Sequence, residues 1–170
     1  MRKMYLSAPL PFVGQKRMLA KEFMKVLEQY PDGTLFVDLF GGSGLLSHIT
    51  KSLKPHSTVI YNDFDNYRFR MKHIPQTNQL LADIREMVGN SVPRHKIIKG
   101  ELRERIFSRI EQEENSTGYV DFITLSSSIL FSMKYKLSVQ DMRKEALYNN
   151  IRKTGYPECT DSVSYTHLRA

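Results

Sequence analysis

The stretch Phe36-Val37-Asp38-Leu39-Phe40-Gly41-Gly42-Ser43-Gly44 constrains the fold more than any other part of this sequence. Thr34 to Phe40 is a short apolar run of the kind that forms a strand buried in a parallel sheet. The glycines that follow break it. Leu45, Leu46, Ile49 and Leu53 then recur on one face of a helix, which Pro55 closes. Ser57 to Tyr61 is a second β-branched run and ends in Asn62-Asp63. Strand, glycine turn, helix and strand within about thirty residues predict a βαβ unit with a right-handed crossover.

A glycine turn after a first strand lets backbone approach a nucleoside closely and aims a helix N-terminus at it. An acid ending the next strand accepts hydrogen bonds from ribose hydroxyls, and Asp63 stands about twenty residues beyond the glycines, the interval such sites use. Gly42-Ser43-Gly44-Leu45-Leu46-Ser47 meets the dinucleotide fingerprint except at Ser47, where the third glycine belongs. Asp38 is the more telling departure. A carboxylate there repels a pyrophosphate but suits the methionine ammonium of S-adenosylmethionine. Three readings stay open on these residues: a site for that cofactor, a nicotinamide-dependent oxidoreductase, and an ordinary turn in which Asp38 caps nearby backbone.

Around this unit the pattern is mostly helical. Residues 7–15 form a loop punctuated by Pro9, Pro11 and Gly14. From Lys16, the residues Leu19, Phe23, Val26, Leu27 and Tyr30 define a helix that ends at Pro31-Asp32-Gly33. Thr77 is placed to cap a helix bearing Leu80, Leu81, Ile84, Met87 and Val88, with Gly89 as its stop. Glu101 to Glu114 forms another, with Leu102, Ile106 and Ile110 inward. Tyr119, Phe122, Ile123, Leu130 and Met133 fit a helical face better than a strand.

A net charge of +7 and a pI near 9.5 over 170 residues point to a polyanionic partner, although a solvated basic surface accounts for them equally well. The cations crowd both ends, and Glu101, Glu104, Glu111, Glu113 and Glu114 make the middle acidic. Cys159 is the one cysteine, which excludes an internal disulfide and a multi-cysteine zinc site. The histidines show no ligand-pair spacing, so no metal is expected. Neither a membrane-length apolar run nor a signal peptide is found, and the expectation is a cytoplasmic protein.

Pro11-Phe12-Val13-Gly14-Gln15-Lys16-Arg17, then Asp38 to Gly44, then Asn62-Asp63-Phe64-Asp65 resemble the opening of Dam-type DNA adenine-N6 methyltransferases. The likeness covers roughly residues 9–68 and continues more weakly to about 155. It implies an α/β, Rossmann-like methyltransferase fold with S-adenosylmethionine as cofactor and double-stranded DNA as partner, of the kind found in restriction–modification. Carried over residue by residue, Lys16 faces the cofactor carboxylate, and Phe12 and Gly14 shape that wall. Asp38 faces the ammonium. Phe40, Gly42 and Gly44 form the turn beneath the cofactor, Asp63 holds the ribose and Phe64 packs beside the adenine. Read without the resemblance, Lys16 and Phe12 are a solvated cation and a helix staple. Asp65 and Asn66 are read as caps of the following helix.

The resemblance also shows what is missing. Such enzymes orient the target amine with an Asp-Pro-Pro-Tyr type motif on a later strand, and this sequence contains no Pro-Pro pair. The expected organisation is the first half of a cofactor domain (1–75), a helical DNA-recognition insert (76–155) and a tail (156–170). In the insert, Lys134, Lys136, Arg143 and Lys144 are the candidate DNA contacts, with Ser126, Ser127, Ser128, Tyr135 and Asn149 beside them. Ser164 to Ala170 fits no expected element. It is similar to translated sequencing-adaptor read-through, which predicts a native frame lost near Asp161–Val163, an incomplete sheet with an unpaired edge, and a fragment without turnover. A non-catalytic nucleic-acid-binding remnant is the alternative that fits the charge and the missing motif.

Overall fold

Leu35–Asp38 (β1) and Thr58–Asn62 (β2) pair in parallel, with Leu35 opposite Thr58 and Asp38 opposite Tyr61. This is the expected βαβ unit, seen in a computed structural model that describes residues 4–14, 16–132, 134–158 and the backbone of 166–168. Between the strands runs α2 (Leu45–Leu53), which starts directly after the glycine turn. Before them lies α1 (Ala20–Glu28), entered through a 3-10 turn at Lys16–Leu19.

The chain divides into two compact units, residues 1–71 with 159–170 and residues 72–158. In the first, Ala20 and Leu27 of α1 pack with Leu45 and Ile49 of α2, and Phe36 of β1 joins them. The apolar faces read from the sequence therefore meet each other and one side of the sheet. The other side is uncovered at β1, where Leu35 and Val37 are more than half exposed. Among the described residues β1 pairs only with β2 and its other edge has no partner.

The terminal segment behaves differently from expectation. The backbone of Thr166–Leu168 (β5) adds to β2 in parallel, giving the order β1-β2-β5. Part of a stretch read as fitting no element thus joins the sheet as a third strand. Gln15, Met133, Cys159 and Asp161–Val163 lie outside the described residues.

The segment Tyr5 to Leu10 is tied to the first unit by backbone donors. The Tyr5 N–H donates to Nε2 of His48 on α2 (3.0 Å), and the two rings lie 5.4 Å apart. Burial holds the imidazole pKa below its ordinary value of about 6.5. Below that value the unfolded chain binds a proton that the folded chain refuses. The stability contributed by neutral His48 is therefore complete above about pH 6.5 and is lost as pH falls through it toward the lowered folded value. The expected result is a smaller loss of Tm between pH 7.5 and 5.5 in His48→Gln, whose amide oxygen still accepts from Tyr5. Equal losses in the two proteins would refute it.

The second unit is helical with one short ribbon. After α3 (Tyr67–Lys72), which reaches its first residue, come α4 (Ile74–Val88), α5 (Gly100–Thr117), α6 (Phe122–Ile129) and α7 (Val139–Arg143). Gly89 ends α4 as expected, but Thr77 does not cap it: Pro75 starts the helix a turn earlier and Thr77 is buried inside. The ambiguous stretch after Tyr119 is helix α6, capped by Asp121, whose side chain accepts from the Thr124 N–H (3.1 Å). Ile97–Ile98 (β3) and Leu147–Tyr148 (β4) pair antiparallel. Across α4 and α5, Arg109 donates to Asp83 and pairs with Glu113, both contacts at 2.8 Å.

Candidate cofactor site

The glycine turn is shaped from below by one side chain. Tyr61, near the end of β2 and almost fully buried, places its ring where a side chain on Gly41 would go. Its hydroxyl donates to the Gly42 carbonyl at 2.6 Å and stands 3.1 Å from Asp63 Oδ1. Burial, and then the neighbouring Asp63 charge, push the phenol's pKa well above its ordinary range, so the proton stays. Gly42 and Gly44 adopt left-handed backbone (φ 51° and 68°), which a residue with a Cβ adopts only at a cost. Gly44 caps α2, its N–H donating to the Gly41 carbonyl at 2.8 Å.

Above the turn is a cavity of about 420 Å³, within the usual size of small-molecule sites. Six of the cofactor candidates, Phe12, Gly14, Lys16, Phe40, Gly42 and Phe64, line it together with Leu39, Gly41, Ser43, Leu45, Asn62 and Asp65. Phe40 and Phe64 are each 81% exposed and present large apolar faces to the cavity. Phe12 fits against the turn: a Cβ on Gly42 would stand 3.0 Å from its ring.

Three expected site residues do not line the cavity. Gly44 acts through the turn. Asp38 lies behind it, one carboxylate oxygen accepting from Ser47 Oγ (2.7 Å) and the other 4.0 Å from the Lys16 ammonium. Lys16 Nζ also donates to the Phe40 carbonyl. Ser47, the mismatch in the dinucleotide fingerprint, is thus a buried donor that orients Asp38 at the first turn of α2. A negative group already occupies the helix end where a pyrophosphate would go, which disfavours the nicotinamide reading.

Asp63 and Asp65 stand in surroundings different from those expected of them. The Asp63 carboxylate accepts from the Tyr67 N–H (2.7 Å) and the Arg68 N–H (3.1 Å) and so caps α3. With Tyr61 nearby, most of its acceptor capacity is engaged. Asp65, read as the cap, is on the cavity wall and exposed, with no hydrogen bond or ion pair among the described residues. Nothing in the spacing of Asn62-Asp63-Phe64-Asp65 could separate the two.

In the second unit, the four basic candidates are all held by carboxylates. Lys134 and Lys136 pair with Glu145 (2.6 and 3.1 Å). Arg143 pairs with Glu104 and Glu111, and Lys144 with Asp141. Ser126 and Ser128 are buried and bond to backbone, so they offer no surface contact. Asn149 donates to the Val92 carbonyl (2.7 Å). No helix among the described residues is long and apolar enough to cross a membrane, and none of their His, Cys, Asp or Glu clusters could hold a metal ion.

Comparison with known proteins places the whole stretch in a family. A Haemophilus influenzae protein named "Putative methyltransferase" is 41% identical over 160 residues, which is 92% of this chain and 53% of that protein. The chain therefore spans about half the length of that relative. No solved structure matches it. The family model for D12 class N6 adenine-specific DNA methyltransferases matches residues 12–159, from the Phe12 wall through the whole second unit. On that match, the chain belongs to the D12 class N6 adenine-specific DNA methyltransferase family.

Proposed function

We propose that the first unit binds S-adenosylmethionine over the glycine turn and the second contacts double-stranded DNA. Together they form the cofactor half of a cytoplasmic enzyme that methylates the exocyclic amine of adenine. The observation that carries this is the cavity itself: a cation and aromatic rings on its wall, an unpaired carboxylate, and a backbone floor without side chains. These match a ligand with a carboxylate, an apolar base and a diol. Bound there, S-adenosylmethionine supplies an electrophilic methyl carbon on its sulfonium.

The residues divide the work by charge and shape. Lys16 takes the carboxylate, and Asp38, oriented by Ser47, balances the ammonium. Phe12, Phe40 and Phe64 supply apolar faces for the adenine, with Gly14, Gly42 and Gly44 allowing close approach. Asp65 and Asn62 accept from or donate to the ribose hydroxyls, while Asp63 secures α3 and, through Tyr61, the turn. Adenine must leave the base stack to be reached. The groups that accept its amine hydrogens belong to the Asp-Pro-Pro-Tyr type motif, which this sequence lacks, so these residues alone are expected to give no turnover.

Calorimetric titration with S-adenosylmethionine tests the reading. The chain is expected to bind it, and Asp65→Asn to weaken binding by about tenfold or more, the cost of a hydrogen bond to a charged acceptor. Asp63→Ala should instead destabilise the fold by about 1 kcal/mol as a lost cap. No heat with the wild type would overturn the cofactor reading and leave the nucleic-acid-binding remnant, to which the absent Pro-Pro pair also conforms. Full affinity in Asp65→Asn with none in a folded Asp63→Ala would return the ribose to Asp63.

A further inference from the structure

We infer that the β3–β4 ribbon and its flanks, not the basic residues of α7 and the segment before it, are the surface that grips the DNA backbone. This rests on the DNA-methyltransferase reading above and names the contact surface for that partner. Charge in the second unit is sharply segregated. Residues 89–100 and 146–157, the stretches that contain β3 and β4, hold five cations, Arg94, Lys96, Lys99, Arg152 and Lys153, and no carboxylate. All five are exposed, and none is in an ion pair among the described residues. By contrast Lys134 and Lys136 share Glu145, Arg143 is paired with Glu104 and Glu111, and Lys144 with Asp141. A phosphate competes with a carboxylate at each of those, but with none at the ribbon's cations, of which Arg152 lies over the Tyr156 ring, 4.7 Å from its centre.

The ribbon is also held in shape. The His95 N–H donates to the Asn149 carbonyl (2.8 Å) and the Asn149 N–H to the Lys96 carbonyl (2.9 Å). Asn150 bridges His95 Nδ1 (2.8 Å) and the Leu130 carbonyl (3.0 Å). Arg85 on α4 donates to the Arg152 carbonyl (2.9 Å). Ile98 and Leu147 are buried on the inner face. On the other face Tyr148 packs against Phe131, ring centres 5.7 Å apart, and Phe131 is 58% exposed. A two-stranded ribbon fits the major groove, about 12 Å wide, so a duplex suits this surface.

The salt dependence of binding to a labelled duplex oligonucleotide decides it. Each phosphate contact contributes about 0.9 to the slope of log K against log salt, so Arg94→Ala/Lys96→Ala should flatten it by about 1.8. Lys134→Ala/Lys144→Ala should leave the slope at the wild-type value. Circular dichroism checks that both variants keep their helices, and Lys96→Glu alone should weaken binding more than Lys96→Ala. An unchanged slope in the Arg94/Lys96 variant, with flattening in the Lys134/Lys144 variant, overturns the inference and keeps the DNA reading. A wild-type chain that binds S-adenosylmethionine but no duplex removes the ribbon while sparing the cofactor site.

Discussion

Gly41→Ala is expected to cost about 3 kcal/mol of stability, an overpacking penalty at the upper end of the usual range. For a chain of this size that is a fall in Tm of about 6–12 °C. The added Cβ would stand 2.7 Å from the Asn62 carbonyl and closer still to the Tyr61 ring. A flexible side chain could move aside. Here one obstacle is β2 backbone, and the other is a buried ring fixed by its own bond to the Gly42 carbonyl. Turning Tyr61 away would release the turn, so cofactor binding should be lost with the stability. Tyr61→Ala cannot rescue the variant, because the Asn62 carbonyl stays in place. Gly42→Ala is a useful contrast, since its Cβ meets only the Phe12 side chain, though at a left-handed φ of 51°. Thermal unfolding followed by circular dichroism, with Ser43→Ala as control, reads the result. A Gly41→Ala protein that melts with the wild type would remove Tyr61 as the support of the turn.

How much of this was legible in the sequence depends on the range of the interaction. The βαβ unit was legible because its signals are local: an apolar run, glycines that break it, a helical stripe and a second run. The cavity wall at Phe12, Lys16, Phe40 and Phe64 followed from motifs in a recognisable order. The ribbon could not be read, since two-residue strands are too short to show alternation. Asp63 and Asp65 are two residues apart, and only the start of α3 reveals which carboxylate meets backbone donors. The basic residues mislead for the opposite reason. Arg143 meets Glu104 across 39 residues of chain, a pairing that composition and periodicity cannot express.

Arg143 and its neighbours make the second large prediction, at Phe107. This side chain on α5 is fully buried and the largest such residue among the described residues. The Arg103 and Arg143 guanidinium carbons lie 4.6 and 4.5 Å from its ring centre. Glu104 joins the two arginines at 2.6 Å each, so the ring carries a charged cluster whose parts come from α5 and α7. Phe107→Ala leaves a cavity and removes that platform, and the expected cost is about 3–5 kcal/mol. Against a total stability of about 5–15 kcal/mol, that is enough to unfold a marginal unit. Phe131, more than half exposed on the ribbon side, is the comparison: Phe131→Ala should cost about 1 kcal/mol or less. Urea unfolding by far-ultraviolet circular dichroism suits a chain without tryptophan. If the two variants lose equal stability, Phe107 is not the core of this unit. The Arg143 pairs with Glu104 and Glu111 would then stand without Phe107 as the platform that supports them.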